Sequence, residues 1–219
     1  RQQFITHFMC AKFLWYFLFK PYSRCILVSQ RESQVADVIA TRIVPIYEFL
    51  DPRFPWPLLD KRSHIKNLEI EHPLSSVGSL IMGLPSGSDK GRGLTGTLVW
   101  LDEFGFQDNQ DQTIRAVKPM VNGPDSKLII TSTPDPNTRY HKMVKNANAN
   151  SEIIQHMQGV WETKNAQNEC VLSIRYDAHP EKRSEQWIER TKRENDDYTW
   201  RVEYNLEWTL PAGKPVFDF

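Results

Sequence analysis

Two adjacent acids, Asp102 and Glu103, follow the apolar run Leu98-Val99-Trp100-Leu101. Such a run reads as a buried strand, and in an open parallel sheet ligands bind just beyond the carboxyl ends of the strands. The run buries itself and delivers both carboxylates to the sheet edge. Asp102 is then expected to hold a magnesium ion, directly or through water, because Mg²⁺ prefers hard oxygen ligands and keeps several waters. Glu103, on the opposite side of the chain, is placed to orient and deprotonate a water aimed at a γ-phosphate. A strand ending in two solvated acids is the ordinary alternative, and the pair alone leaves the two readings level.

Three further features bear on the same chemistry. Residues 127–133 form an apolar strand that closes on Thr131-Ser132-Thr133 and is halted by Pro134. Hydroxyls at the end of a neighbouring central strand can sense a γ-phosphate and pass the signal on, although taken alone they are more often a capped strand end. At the amino terminus, Arg1-Gln2-Gln3-Phe4-Ile5-Thr6 directly precedes a helix. A cation, a short loop and a hydroxyl at a helix start make a phosphate-and-magnesium arrangement, with helix amides toward the anion and the hydroxyl toward the metal. An ordinary helix start is the competing reading of this stretch. Finally, the polar, glycine-rich residues 85–93 place Arg92 between Gly91 and Gly93. A guanidinium there can meet phosphate oxygens bidentately, or it can sit in a surface salt bridge.

The elements that must carry these residues alternate helix and strand. Residues 7–19 read as a helix closed by Pro21, and residues 25–29 as a short buried strand. Spaced apolar residues from Gln30 to Leu50 fit a helix bent at Pro45. Residues 51–57 contain three prolines and read as loop. Residues 65–71 and 79–84 suggest a hairpin on one flank of the sheet. Residues 111–120 can form a helix, residues 146–150 read as a polar turn, residues 171–176 as a strand, and residues 184–195 as a charged helix. Continuous apolar strands separated by helices are what a parallel sheet covered on both faces requires, so the fold class is α/β.

The bulk numbers set bounds on this. A chain of 219 residues suits one domain with a small appendage. With 27 basic and 27 acidic residues it is neither a strongly basic nucleic-acid coat nor an acidic tail protein, so binding of a polyanion must come from a local patch. The first 62 residues hold 9 basic and 5 acidic side chains, a weak surplus. Cys10, Cys25 and Cys170 are too few and scattered for a disulfide framework, which suggests a reducing, intracellular setting. His64, His72, His141, His156 and His179 form no metal-ligand spacing. The apolar run within residues 13–19 is far short of a membrane span, and the aromatic helix around it reads as core rather than as a base-stacking platform.

In order and spacing these motifs resemble the large terminase subunits of tailed bacteriophages, ATPase motors that package double-stranded DNA into procapsids. Arg1-Gln2-x-x-x-Thr6 resembles the end of the family's variant Walker A loop, residues 26–30 the strand after the first helix, and Gly91-Arg92-Gly93 an arginine-glycine element. Residues 98–103 resemble Walker B with its catalytic glutamate, and Thr131-Ser132-Thr133 the coupling motif. Residues 200–204 and 213–217 resemble the junction leading to a nuclease domain. The resemblance implies an additional-strand, RecA-like P-loop NTPase with a mainly parallel central sheet flanked by helices. Residues 1–137 would be the ATPase core, with the start of the phosphate loop missing. Residues 138–219 would be a small lid subdomain and linker toward an absent nuclease domain.

It further implies ATP and Mg²⁺ as cofactors. Arg1, Gln2, Gln3, Ile5 and Thr6 would be at the nucleotide, Thr6 and Asp102 on the metal side, and Glu103 and Arg92 catalytic. Arg92 would act as a finger reaching the next subunit's γ-phosphate. Thr131, Ser132 and Thr133 would couple phosphate state to motion. Implied partners are double-stranded DNA, the portal of the procapsid, the small terminase subunit, and further copies of the chain in a ring during packaging, with a monomer in isolation. The implied place is the cytoplasm of the infected bacterium, transiently at the procapsid, with no membrane and no nuclease activity in this chain. One departure stands out: Phe4 and Ile5 occupy the positions where the family has glycine and then lysine. Two alternatives therefore stay open: a helicase-like P-loop motor, and a catalytically weakened module that binds DNA or the portal.

Overall fold

The computed structural model describes residues 4–56, 69–72, 74, 76–87, 93–149 and 151–210. The chain divides into two compact units, Phe4–Ser132 and Thr133–Phe219.

The first unit is built on α1 (Ile5–Phe19), β1 (Arg24–Ser29), α2 (Glu32–Val38), α3 (Val44–Glu48), β2 (Glu69–Glu71), β3 (Leu80–Pro85), β4 (Leu98–Leu101), α4 (Gln110–Val117) and β5 (Lys127–Ile130). Its sheet runs β2-β3-β1-β4-β5. The last four are parallel, and only the short flanking β2 is antiparallel. Every residue of β4 is buried, as are all of β1 after Arg24. That is the signature of strands covered on both faces, and it meets the α/β expectation. Among the described residues β5 is an edge, and its Leu128, Ile129 and Ile130 are only half-buried.

Register decides what shares a face. Leu27 lies opposite both Gly83 and Trp100, and Trp100 lies opposite Ile129. With the two-residue alternation of a strand, Cys25, Leu27, Leu98, Trp100 and Ile129 face one side. There they pack with Met9, Cys10, Phe13, Leu14 and Phe17 of α1. The intervening Ile26, Val28, Val99 and Leu101 point to the other side and are equally buried. One step beyond the last apolar row, the same alternation places Ser29, Asp102 and Thr131 side by side on the α1 face.

The bend expected at Pro45 takes the form of a widened turn. Between α2 and α3 the residues Ile39–Ile43 are π-helical. Pro45 has no N–H for the carbonyl four residues back, and its ring would collide with that carbonyl, so the turn before it opens. The expected flanking hairpin is present as β2 against β3, with residues 65–68 outside the described set.

In the second unit, α5 (Arg139–Asn148) starts at a Thr138 cap whose hydroxyl accepts the His141 N–H at 3.1 Å. Three antiparallel strands follow: β6 (Glu152–Met157), β7 (Val160–Lys164) and β8 (Cys170–Ile174). The expected polar turn at residues 146–150 is corrected here. Asn146, Ala147 and Asn148 form the last turn of α5, because Ala147 is buried and holds the helix down. The β6–β7 hairpin has no counterpart in the sequence reading, since β6 exposes all six residues and so shows no inside-outside alternation. After it, α6 (Glu185–Glu194) is capped by Ser184, and Trp187 of that helix stacks on Tyr176 at 5.7 Å.

The hairpin turn depends on Gly159, which has φ 73°. A Cβ there would lie 2.5 Å from the backbone nitrogen of Ala178. Gly159→Ala is expected to destabilise this unit by about 3 kcal/mol, combining left-handed strain with overpacking against backbone. A urea titration followed by circular dichroism measures it.

Candidate active site

Asp102 stands where β4 stops. Its backbone N–H still donates to Val28 O at 2.9 Å, so the residue is held in the sheet's line although the strand ends at Leu101. The next residue breaks that line. Glu103 has φ 48° and ψ 44°, a left-handed conformation that a non-glycine residue adopts only at a cost. The turn it makes leads into the 3-10 segment Phe104–Phe106 and leaves Glu103 exposed while Asp102 stays half-buried.

The strand-end hydroxyls hold this turn directly. Thr131 Oγ1 donates to Asp102 Oδ1 at 3.0 Å and accepts the indole N–H of Trp100 at 2.8 Å. The amide of Gly105 donates to Ser132 Oγ at 3.0 Å, and that of Phe104 to Thr131 O at 3.1 Å. β5 itself ends at Ile130, so these hydroxyls lie just past the strand rather than in it. Thr133 opens the second unit. Gln107, buried, adds a clamp from below: its amide donates to Asp102 O at 2.7 Å and to Val28 O at 3.4 Å.

Burial raises the Asp102 carboxyl above the ordinary range. The Thr131 hydroxyl, the Glu103 amide and the charge of Arg42 oppose that shift. The same surroundings reach α1. Burial pushes the Cys10 thiol up to about 12, with Arg42 lowering it and Asp102 raising it. Cys10 therefore lies within electrostatic reach of Asp102. Thr6 precedes it by one helical turn on the same stripe of α1. Met9, Cys10 and Phe13 of that helix share one buried cluster with Trp100 of β4.

At the helix start Phe4 takes φ 56° and ψ 20°, the conformation for which glycine is better suited. The phenyl group is accommodated by exposure, the side chain being 64% exposed. Among the described residues no side chain caps the start of α1, and no acidic residue occupies its first turn. Phe4→Gly is expected to stabilise the protein by about 1 kcal/mol and to strengthen nucleotide binding. It relieves left-handed strain and clears the helix start at once; thermal melts with and without ADP measure both.

These groups fit a nucleotide with a hard cation. The two donors expected on the metal side, Asp102 and Thr6, are oxygens, as a hard cation requires, while burial pushes the Cys10 thiol up to about 12. Among the described residues no group of three or more His, Cys, Asp or Glu could hold a metal alone, so phosphates and water would have to complete the shell. Arg42 is a cation that sequence reasoning missed. Its Nη1 meets Thr41 Oγ1 at 2.8 Å and Asp37 Oδ2 at 3.4 Å, and its Nε is buried without a hydrogen-bond partner. Trp100 and Gln107 were missed too. Only Trp100 left a signal, a polar N–H two residues before Asp102 in an otherwise aliphatic strand. Arg1, Gln2, Gln3 and Arg92 lie outside the described residues. Among the described residues no helix is long and apolar enough to cross a membrane.

The family profile described as terminase large subunit, T4-like-virus type, N-terminal, matches residues 6–219. No curated protein matches. Among solved structures, the large terminase ATPase domain of Thermus phage P74-26 aligns with a TM-score of 0.64 at 21% identity, over 95% of this chain and 86% of that one. The large terminase of another thermophilic bacteriophage, in complex with ADP, aligns with a TM-score of 0.63 at 13% identity, over 92% of this chain and 44% of that one. At such identities the likeness is one of fold, the P-loop, RecA-like fold of terminase ATPase domains.

Proposed function

Because the chain belongs to the large terminase subunit family, matching the N-terminal region of its T4-like type, we propose that it is an ATPase motor coupling ATP hydrolysis to translocation of double-stranded DNA into a procapsid. The observation that carries this reading is the Asp102–Glu103 turn, tied by Thr131 and Ser132 to the end of the neighbouring strand. One carboxylate is held in place and the other is turned outward.

In this reading Thr6 and Asp102 take the metal side, and Arg1, Gln2, Gln3 and Ile5 line the phosphate loop. Mg²⁺ bound with ATP would supply charge neutralisation at the phosphates. Glu103 accepts a proton from the attacking water and sets its direction. Arg92 from a neighbouring subunit stabilises transition-state charge, a role worth roughly 10³–10⁵ in rate where such fingers act. Thr131 bonds to Asp102 and Ser132 to the turn after Glu103, so a change at the phosphate would alter their partners. With Thr133 they would pass that change to a lid formed by the second unit.

The DNA would be gripped through its phosphates, in a ring of subunits docked on the portal with the small terminase subunit. All this would take place in the cytoplasm of the infected bacterium. Nuclease activity is not expected from this chain.

Radiolabelled ATP hydrolysis by Glu103→Ala beside the wild type tests the reading. Turnover by the wild type that the variant loses supports it. Equal background rates would overturn it in favour of a DNA- or portal-binding module without turnover, which Phe4 and Ile5 in the loop would then explain.

A further inference from the structure

A carboxylate that holds a cation must present the same oxygen each time, and β4 does not secure this for Asp102, because the strand ends one residue earlier. The hydrogen bonds behind it do. Asp102 Oδ1 is 3.0 Å from Thr131 Oγ1, which is 2.8 Å from Trp100 Nε1. An indole N–H can only donate, and a threonine hydroxyl carries a single proton. The Thr131 proton therefore cannot point at Trp100. Its acceptors are Asp102 Oδ1 and, farther off, the Leu101 carbonyl at 3.4 Å. The one group in the chain of bonds that cannot reverse sets the direction of the rest.

We propose that Trp100 is a positioning residue for the metal-side carboxylate: its indole N–H turns the Thr131 proton onto Asp102 Oδ1 and so fixes how the carboxylate is presented to the cation. The proposal rests on the reading of Asp102 as a metal-side ligand and deepens it. Trp100 suits the task because it is fixed. It is 0% exposed, and Phe13 of α1 meets its ring edge-on, with centroids 5.8 Å apart and planes at 81°. Cross-strand register does the rest, since Trp100 faces Ile129 and Thr131 lies two residues further along the same face. In such a buried row each bond polarises the next, so the N–H strengthens the hydroxyl's donation to the carboxylate.

The test uses three single variants and one double variant. Trp100→Phe keeps an aromatic ring against Phe13 and deletes the N–H. Thr131→Val deletes the hydroxyl at nearly constant shape, and Thr131→Ser keeps it. Mn²⁺ affinity in the presence of ADP, read from the electron paramagnetic resonance of free Mn²⁺, is expected to fall about 3- to 10-fold in Trp100→Phe and in Thr131→Val, the scale of one net hydrogen bond. Thr131→Ser is expected to bind like wild type. The double variant Trp100→Phe with Thr131→Val is expected to lose no more than its worse parent, because both changes break one chain.

A second readout needs no metal. The Trp100 indole N–H resonance, identified by its loss in Trp100→Phe, should be protected from solvent exchange in wild type and displaced in Thr131→Val but not in Thr131→Ser. A resonance indifferent to Thr131→Val, additive losses in the double variant, or wild-type Mn²⁺ affinity in Trp100→Phe each overturns the proposal. Failure of wild type to bind Mn²⁺ with ADP overturns it together with the site reading beneath it. That outcome is distinct from failure of the hydrogen-bond chain alone, in which wild type, Trp100→Phe and Thr131→Val bind equally.

Discussion

Glu103→Gly is expected to give a protein that melts higher and hydrolyses ATP at least about 10²-fold more slowly. Both effects come from one position. Glu103 holds φ 48° and ψ 44°, and left-handed backbone costs a residue with a Cβ on the order of 1 kcal/mol. Glycine adopts it without that cost, which for a chain of this size corresponds to a rise of roughly 2–4 °C in melting temperature. The same change removes the exposed carboxylate that stands beyond the fixed Asp102. A positioned general base contributes typically 10²–10⁴ in rate, so turnover falls by about that factor. Calorimetric melts and a hydrolysis assay on one preparation read the two signs together. Undiminished turnover would remove Glu103 from the chemistry, and a lowered melting temperature would show that its side chain holds the turn.

The largest stability effect is expected in α1, and it separates two phenylalanines that the sequence presents as equals. Phe13 is 0% exposed against the sheet, while Phe8 is 61% exposed. Phe13→Ala leaves a cavity beside Trp100 and is expected to cost about 3–5 kcal/mol, lowering the melting temperature by on the order of 10 °C. Phe8→Ala removes a ring that meets solvent and Lys12, whose ammonium lies 5.8 Å from its centroid; it is expected to stay within about 0.5 kcal/mol. Equal losses from the two variants would mean that the outer face of α1 is covered as tightly as the inner one.

That contrast marks where local reading stops. The apolar runs at residues 25–29, 80–84, 98–101 and 127–130 became β1, β3, β4 and β5, because an unbroken apolar, β-branched stretch between turn residues has few ways to bury itself other than as a strand of a covered sheet. The position of Asp102 at a strand end was legible for the same reason. α1 was legible as a helix but not by face, since it is apolar all round and carries no stripe to orient it. The β6–β7 hairpin was illegible because β6, with every residue exposed, leaves no alternation to read.

Patterning along the chain reports how deeply a segment is buried, and it says nothing about which segments adjoin. The order β2-β3-β1-β4-β5 and its register are long-range choices. They alone bring Thr131 to Asp102, 29 residues away in sequence, and Trp100 to Thr131, 31 residues away. They also bring the charge of Arg42 to the same carboxylate. The residue types for a magnesium-and-phosphate site could be read from the sequence; which hydroxyl orders which carboxylate was decided by strand pairing, because a hydrogen bond depends on position in space and not on distance along the chain.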